Sequence, residues 1–149
     1  MPEINHKTYI KVTVEDVYHT ISTAQGWNAW FTDETSLEIY PDRTGEIRMR
    51  WINFGSEKVT IEDGGSILEA IPNQKFVFQW SPGEQISTVT IELKPYKDGT
   101  LVVLNESGYT HSERDIRACI GCSVGWGEAL ALLKVYLEHG IVYKQDLIL

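Results

Sequence analysis

The feature that most restricts this chain is a succession of extended runs with only short turns between them. Residues 36–40, 46–52, 58–70, 75–80, 86–96 and 100–109 are each β-branched, aromatic or alternating in polarity. Pro41-Asp42-Arg43-Thr44-Gly45, Asn53-Phe54-Gly55, Pro72-Asn73, Ser81-Pro82-Gly83 and Lys97-Asp98-Gly99 separate them with turn chemistry. Strands joined this tightly pair antiparallel, because a parallel crossover needs a much longer connection. A meander of this length has an apolar face to hide, so the rest of the chain must supply a cover.

The flanking segments change period. Residues 8–15 alternate as a first strand. Residues 16–31 then place Val17, Ile21 and Ala24 on one helical face, with Asp16 as the expected N-cap. Gly26 suggests a break before a second short helix that carries Trp27, Trp30 and Phe31. After the meander, Ser112-Glu113-Arg114-Asp115 has the spacing of a capping box, and the helical pattern runs to Glu138 or His139 with Gly140 as C-cap. Cys119, Cys122, Trp126, Leu130, Leu133 and Leu137 share one face of that helix. Gly121, Gly125 and Gly127 each cost roughly 1 kcal/mol against Ala in a helix. They imply close packing against a neighbour, or an irregular first half. The last helix, ~27 residues and ~40 Å long, is the only element able to cover the sheet. The expected fold is α+β, of the helix-grip type: a curved antiparallel sheet wrapped around a long C-terminal helix, with two short helices after the first strand. One domain spans residues 1–149, with its core at 8–139 and an apolar tail at 140–149.

Charge and composition narrow the partners. The 149 residues hold 13 Lys and Arg against 21 Asp and Glu, a net charge of −8, which disfavours nucleic acid and anionic membrane. The first residues lack the apolar run of a signal peptide, and no uninterrupted apolar stretch approaches the ~18 residues of a membrane span. Two cysteines are too few for a disulfide framework. A cytoplasmic protein is expected. Cys119 and Cys122 stand three apart, but zinc takes about four ligands, and a redox pair belongs at a helix N-terminus. A small apolar lining role is the preferred reading, with no metal and no cofactor. A phosphate-binding glycine loop, a Gly-x-Ser-x-Gly elbow and a His-Glu-x-x-His helix are all missing, so the balance of motifs is against an enzyme.

Strand alternation picks out a candidate lining between sheet and helix. Phe76, Phe78 and Trp80 share one strand face, as do Met49 and Trp51 with Ile47, and Val102, Leu104 and Glu106. Trp30 from the short helices and Cys122, Trp126 and Leu130 from the last helix complete the set. These residues are either ordinary core or the wall of a pocket, and the concentration of aromatic rings favours the pocket. Glu106 is the main polar candidate, with Tyr109 and His111 beside it. Facing inward it would need hydrogen-bonding partners; at a strand end it would sit in water.

Several local runs resemble a known family. Trp30-Phe31 follows the short helices, and residues 65–80 are similar to the run Gly-x-Val-x-Glu-x-x-Pro-x-x-x-Leu-Val-Phe-x-Trp. Gly99-Thr100 opens and Ser107-Gly108-Tyr109 closes the last strand, and Gly125-Trp126, Leu130, Leu133 and Tyr136-Leu137-Glu138 mark the final helix. Together they resemble the activators of heat-shock-protein-90 ATPase (Aha-type) within the START/Bet v 1-like (SRPBCC) superfamily. The resemblance implies a small hydrophobic ligand, lipid-like, polyketide-like or aromatic, bound between sheet and helix. It also implies two alternatives: a co-chaperone-like interaction module with a chaperone as partner, and an enzyme acting on an apolar or aromatic substrate. A monomer or weak homodimer is expected, with the tail packed on its own domain or on a second copy.

Overall fold

The computed structural model describes residues 2–144. Strand β1 (Ile4–Ile10) leads into helices α1 (Val14–Ile21) and α2 (Ala24–Trp30). The meander follows as β2 (Glu34–Ile39), β3 (Gly45–Phe54), β4 (Val59–Ile71), β5 (Lys75–Trp80), β6 (Ser87–Tyr96) and β7 (Gly99–Ser107), and α3 (Glu113–His139) closes the chain. All strands join one seven-stranded antiparallel sheet in the order β1-β7-β6-β5-β4-β3-β2. This is the helix-grip arrangement expected from the sequence.

The first segment differs from expectation. β1 begins four positions before residue 8, because it pairs with β7 from Ile4↔Glu106 to Ile10↔Thr100. The chain then turns, and Thr13 rather than Asp16 caps α1, its hydroxyl accepting the Asp16 amide at 3.2 Å. The break between the helices falls at Ser22 and Thr23, and Thr23 caps α2 by accepting the Gly26 amide at 3.0 Å. Gly26 therefore lies inside α2. A Cβ there would come within 2.1 Å of the Thr20 carbonyl oxygen, so the glycine lets α2 close on α1.

α3 follows the sequence signals at both ends. The Ser112 hydroxyl accepts the Asp115 amide at 3.1 Å, and Gly140 stops the helix with φ 68°. The glycines within it do something else than expected. The helix runs unbroken through them, yet a Cβ on Gly121 or Gly125 would meet no atom within 4 Å, and only Gly127 faces a neighbour, His6. By length and composition α3 could cross a membrane. Here Trp126, Ala129, Leu130 and Leu133 are buried against the sheet, with Phe76, Phe78, Val89, Val102 and Leu104 in the same core. In the tail, the Lys144 amine donates to the carbonyls of Asn28 and Thr32, which fixes residues up to 144 on their own domain. The rest of the predicted apolar tail, 145–149, lies outside the described residues.

The Gly26 contact gives a direct stability prediction. Gly26→Ala should lower the unfolding free energy by about 1–3 kcal/mol in urea titration, despite the better helix propensity of alanine. A stabilised variant would contradict the close approach.

Candidate functional site

Beside the first half of α3 a cavity of about 300 Å³ lies between the helix and the sheet. Trp51 and Phe54 enter from β3, Ile61 and Asp63 from β4, and Trp80 from the end of β5. Phe31, just beyond α2, and Pro82 form part of the rim. The α3 side is made by Gly121, Cys122, Gly125 and Trp126. The two glycines explain the space: side chains at these positions would point into it. The rings form a continuous row, with centroid separations of 5.5 Å for Trp80–Trp126, 6.2 Å for Phe31–Trp126, 5.3 Å for Phe31–Trp51 and 6.4 Å for Trp51–Phe54. These spacings lie in the range of favourable aromatic contacts.

Behind this wall sits Glu106. Thr100, Val102, Leu104 and Glu106 alternate inward along β7, and the Glu106 side chain is fully buried. Its Oε2 accepts from Trp80 Nε1 at 2.7 Å, Ser87 Oγ at 2.6 Å and Tyr109 Oη at 2.7 Å, while Oε1 accepts from Trp126 Nε1 at 2.8 Å. The indole nitrogens can only donate, and each addresses a different oxygen, an arrangement matched to the carboxylate form. Charge-assisted bonds of this kind are stronger than neutral ones and offset the cost of burial. Gly108, at φ 112°, turns the chain after β7 so that the Tyr109 ring returns to Glu106. Burial, the neighbouring Cys122 and the Glu106 charge together push the Tyr109 hydroxyl well above the usual tyrosine range. Burial likewise raises the Cys122 thiol to about 11. Asp115 fixes the rim: it accepts the amides of Glu84 at 2.7 Å and Thr110 at 2.8 Å, tying the turn that carries Pro82 to the start of α3.

The residues singled out in the sequence separate into two groups. Trp51, Trp80, Cys122 and Trp126 line the cavity. Trp30, Met49, Phe76, Phe78, Val102, Leu104 and Leu130 lie deeper, in the packed core, and Glu106 holds the wall from behind. Tyr109 joins Glu106, whereas His111 is exposed and stands apart. Phe31, Phe54, Ile61, Asp63, Pro82 and the two glycines were missed as lining. For Ile61 and Asp63 the usable signal is strand register, which sets them opposite Trp51 and Met49. Among the described residues, no group of three or more His, Cys, Asp and Glu side chains could hold a metal ion. Cys119 and Cys122 are both free thiols.

A curved seven-stranded antiparallel sheet wrapped on one long C-terminal helix defines the Bet v 1-like class of helix-grip domains. The family model described as "Activator of Hsp90 ATPase homolog 1-like protein" matches residues 11–138, and the chain belongs to that family. Among solved structures it is similar to SSP2350 from Staphylococcus saprophyticus, at 23% identity and TM-score 0.72 over 94% of each chain. It is similar to the Aha1 dimer from Colwellia psychrerythraea at 23% identity and TM-score 0.72, over 94% of this chain and 98% of that one. CV1439 from Chromobacterium violaceum matches at 19% identity and TM-score 0.74, over 93% of this chain and 99% of that one. No curated protein sequence matches the chain.

The carboxylate and the thiol give two predictions. Glu106→Gln has one acceptor oxygen for donors that address two, so it should cost about 1–3 kcal/mol in urea unfolding and move the indole N–H resonances of both Trp80 and Trp126. Unmoved resonances would show that the bonds are not made. An ordinary thiol titrates at 9.0 and folded Cys122 at about 11. The folded state thus favours the protonated thiol, so its stabilising contribution is complete below pH 9 and lost as pH rises toward 11. In a Cys119→Ala background, iodoacetamide should alkylate Cys122 at pH 8 about a hundredfold more slowly than an unperturbed thiol, from the thiolate fraction alone.

Proposed function

We propose that this protein binds a small, mostly apolar molecule in the cavity between β3–β5 and the first half of α3. The observation that carries this reading is the pair Gly121 and Gly125, which leave open space beside a row of aromatic rings. A helix that merely covered a sheet would gain stability and packing from larger residues there. The volume, about 300 Å³, lies at the lower end for small-molecule sites and suits a molecule of one or two rings. Desolvation of the rings would supply most of the affinity, at roughly 25 cal/mol per Å² of apolar surface covered. Glu106 supports binding in preference to acid–base catalysis on an apolar substrate, because its oxygens are already occupied by protein donors. The cytoplasm is the compartment we propose, in keeping with two free thiols.

The glycines also supply the test. The neutral fluorescent probe N-phenyl-1-naphthylamine should bind the protein and brighten, and Gly125→Leu should fold while losing at least about tenfold in affinity as leucine fills the space. Equal binding by both proteins would place the probe elsewhere and contradict the reading.

A second reading, an interaction module of the co-chaperone type, draws on a different surface. Ile116, Ile120 and Val124 lie four apart on the outer face of α3 and are 38%, 63% and 65% exposed. The family's name makes a chaperone the expected partner, and the dimeric state of the Colwellia protein makes weak self-association a competing use of the stripe. If the stripe meets the chaperone, the protein stimulates the chaperone's ATPase and Ile120→Lys abolishes the effect without changing probe binding. Absence of stimulation by the unmodified protein would contradict this reading, and a monomer–dimer equilibrium lost in Ile120→Lys would assign the stripe to a second copy.

A further inference from the structure

The cavity is one-sided in charge as well as apolar. Of its lining residues among those described, Asp63 alone carries a formal charge; no Lys, Arg or His contributes. Asp63 is half-buried on β4, with Oδ1 accepting the amides of Gly64 at 2.7 Å and Ser81 at 2.9 Å, so its carboxylate is held in place at the wall. The second carboxylate, Glu106, lies directly behind Trp80 and Trp126, and all of its bonds come from neutral donors. Its negative charge is therefore balanced by no cation at contact distance among the described residues. An indole whose N–H donates to a carboxylate is polarised toward its ring, which strengthens the negative face that attracts cations. Both indoles bonded to Glu106 also line the cavity, alongside Trp51, Phe31 and Phe54. Aromatic rings with a fixed acid at the wall and a buried acid behind form an environment that rewards positive charge and penalises negative charge. The low dielectric around fully buried Glu106 limits the screening of its share of that preference.

From this geometry, and resting on the binding reading above, we propose that the cavity selects a small apolar organic cation: a quaternary or tertiary ammonium, or a protonated aromatic amine. Asp63 supplies the charge at the wall, the rings supply cation–π contacts and desolvation, and Glu106 orients and polarises two of those rings. The net charge of −8 would further raise the local concentration of such a ligand.

Phenyltrimethylammonium and tert-butylbenzene have the same shape and differ in charge, and benzoate supplies the anionic counterpart. Each is titrated into the protein, with the ring resonances of Trp51, Trp80 and Trp126 reporting occupancy of the cavity. The cation should bind about tenfold or more tightly than tert-butylbenzene, and benzoate more weakly than either. Asp63→Asn retains an Oδ1 acceptor for Gly64 and Ser81; it should weaken the cation by about threefold or more and leave tert-butylbenzene unchanged. Binding of tert-butylbenzene or benzoate as tightly as the cation would overturn the charge preference and leave the cavity reading standing. If none of the three moves these ring signals, both proposals fall.

Discussion

Four hydrogen bonds to one buried carboxylate organise this end of the molecule. Glu106 joins β7 to β5 through Trp80, to the start of β6 through Ser87, to the turn after β7 through Tyr109, and to α3 through Trp126. Each donor would otherwise be a buried polar group in need of a partner, and the carboxylate alone would be a buried charge with none. Satisfying all of them at once fixes where the covering helix sits on the sheet. Elsewhere α3 packs on the sheet through apolar Ala129, Leu130 and Leu133, with polar ties near β1 from Ser123 to His6, Lys134 to Tyr9 and Glu138 to the Lys11 amide. Apolar packing is tolerant of small shifts, whereas the Glu106 cluster is directional. The polar cluster therefore sets the position of the indoles, and the apolar core holds the assembly together.

The cavity exists because two kinds of residue meet across that fixed interface. Glycine at positions 121 and 125 withholds side chains from α3, at a cost in helix stability of roughly 1 kcal/mol each. Large rings on the sheet side reach toward the gap without filling it. Their mutual contacts keep the rings in a row, so the wall is formed before a ligand arrives and little ordering cost remains for binding. Asp115 acts in the same direction by tying the rim turn to the helix start. A preformed aromatic cavity with two acids around it is a selective environment, and its selectivity follows from which residues are present more than from the fold that carries them.

Much of the fold was legible because it rests on local signals. The turns between strands, the Ser112 cap and the Gly140 stop all depend on residues within a few positions of one another. Alternation along β7 offered the inward direction of Glu106 as one of two readings, and the identity of its donors was not legible, since Trp80, Ser87 and Trp126 lie far away in sequence. Phe54 was hidden by a register shift between Trp51 and Phe54, with Asn53 at φ 55°, which interrupts the alternation that an even-numbered position would follow. Gly26, Gly121 and Gly125 show the limit most clearly. The sequence reveals that a side chain is missing, but not whether the space holds a neighbour's backbone, as at Gly26, or nothing, as at Gly121 and Gly125.

The central claim is that the ligand binds against indoles which Glu106 already holds. Hydrogen exchange of the indole N–H groups, followed with and without phenyltrimethylammonium, addresses this most directly. The account predicts slow exchange at Trp80 and Trp126 in the free protein, and equally slow exchange when the ring resonances of Trp51, Trp80 and Trp126 have shifted on binding. Fast exchange in the free protein, or protection that collapses as ligand binds, would contradict it.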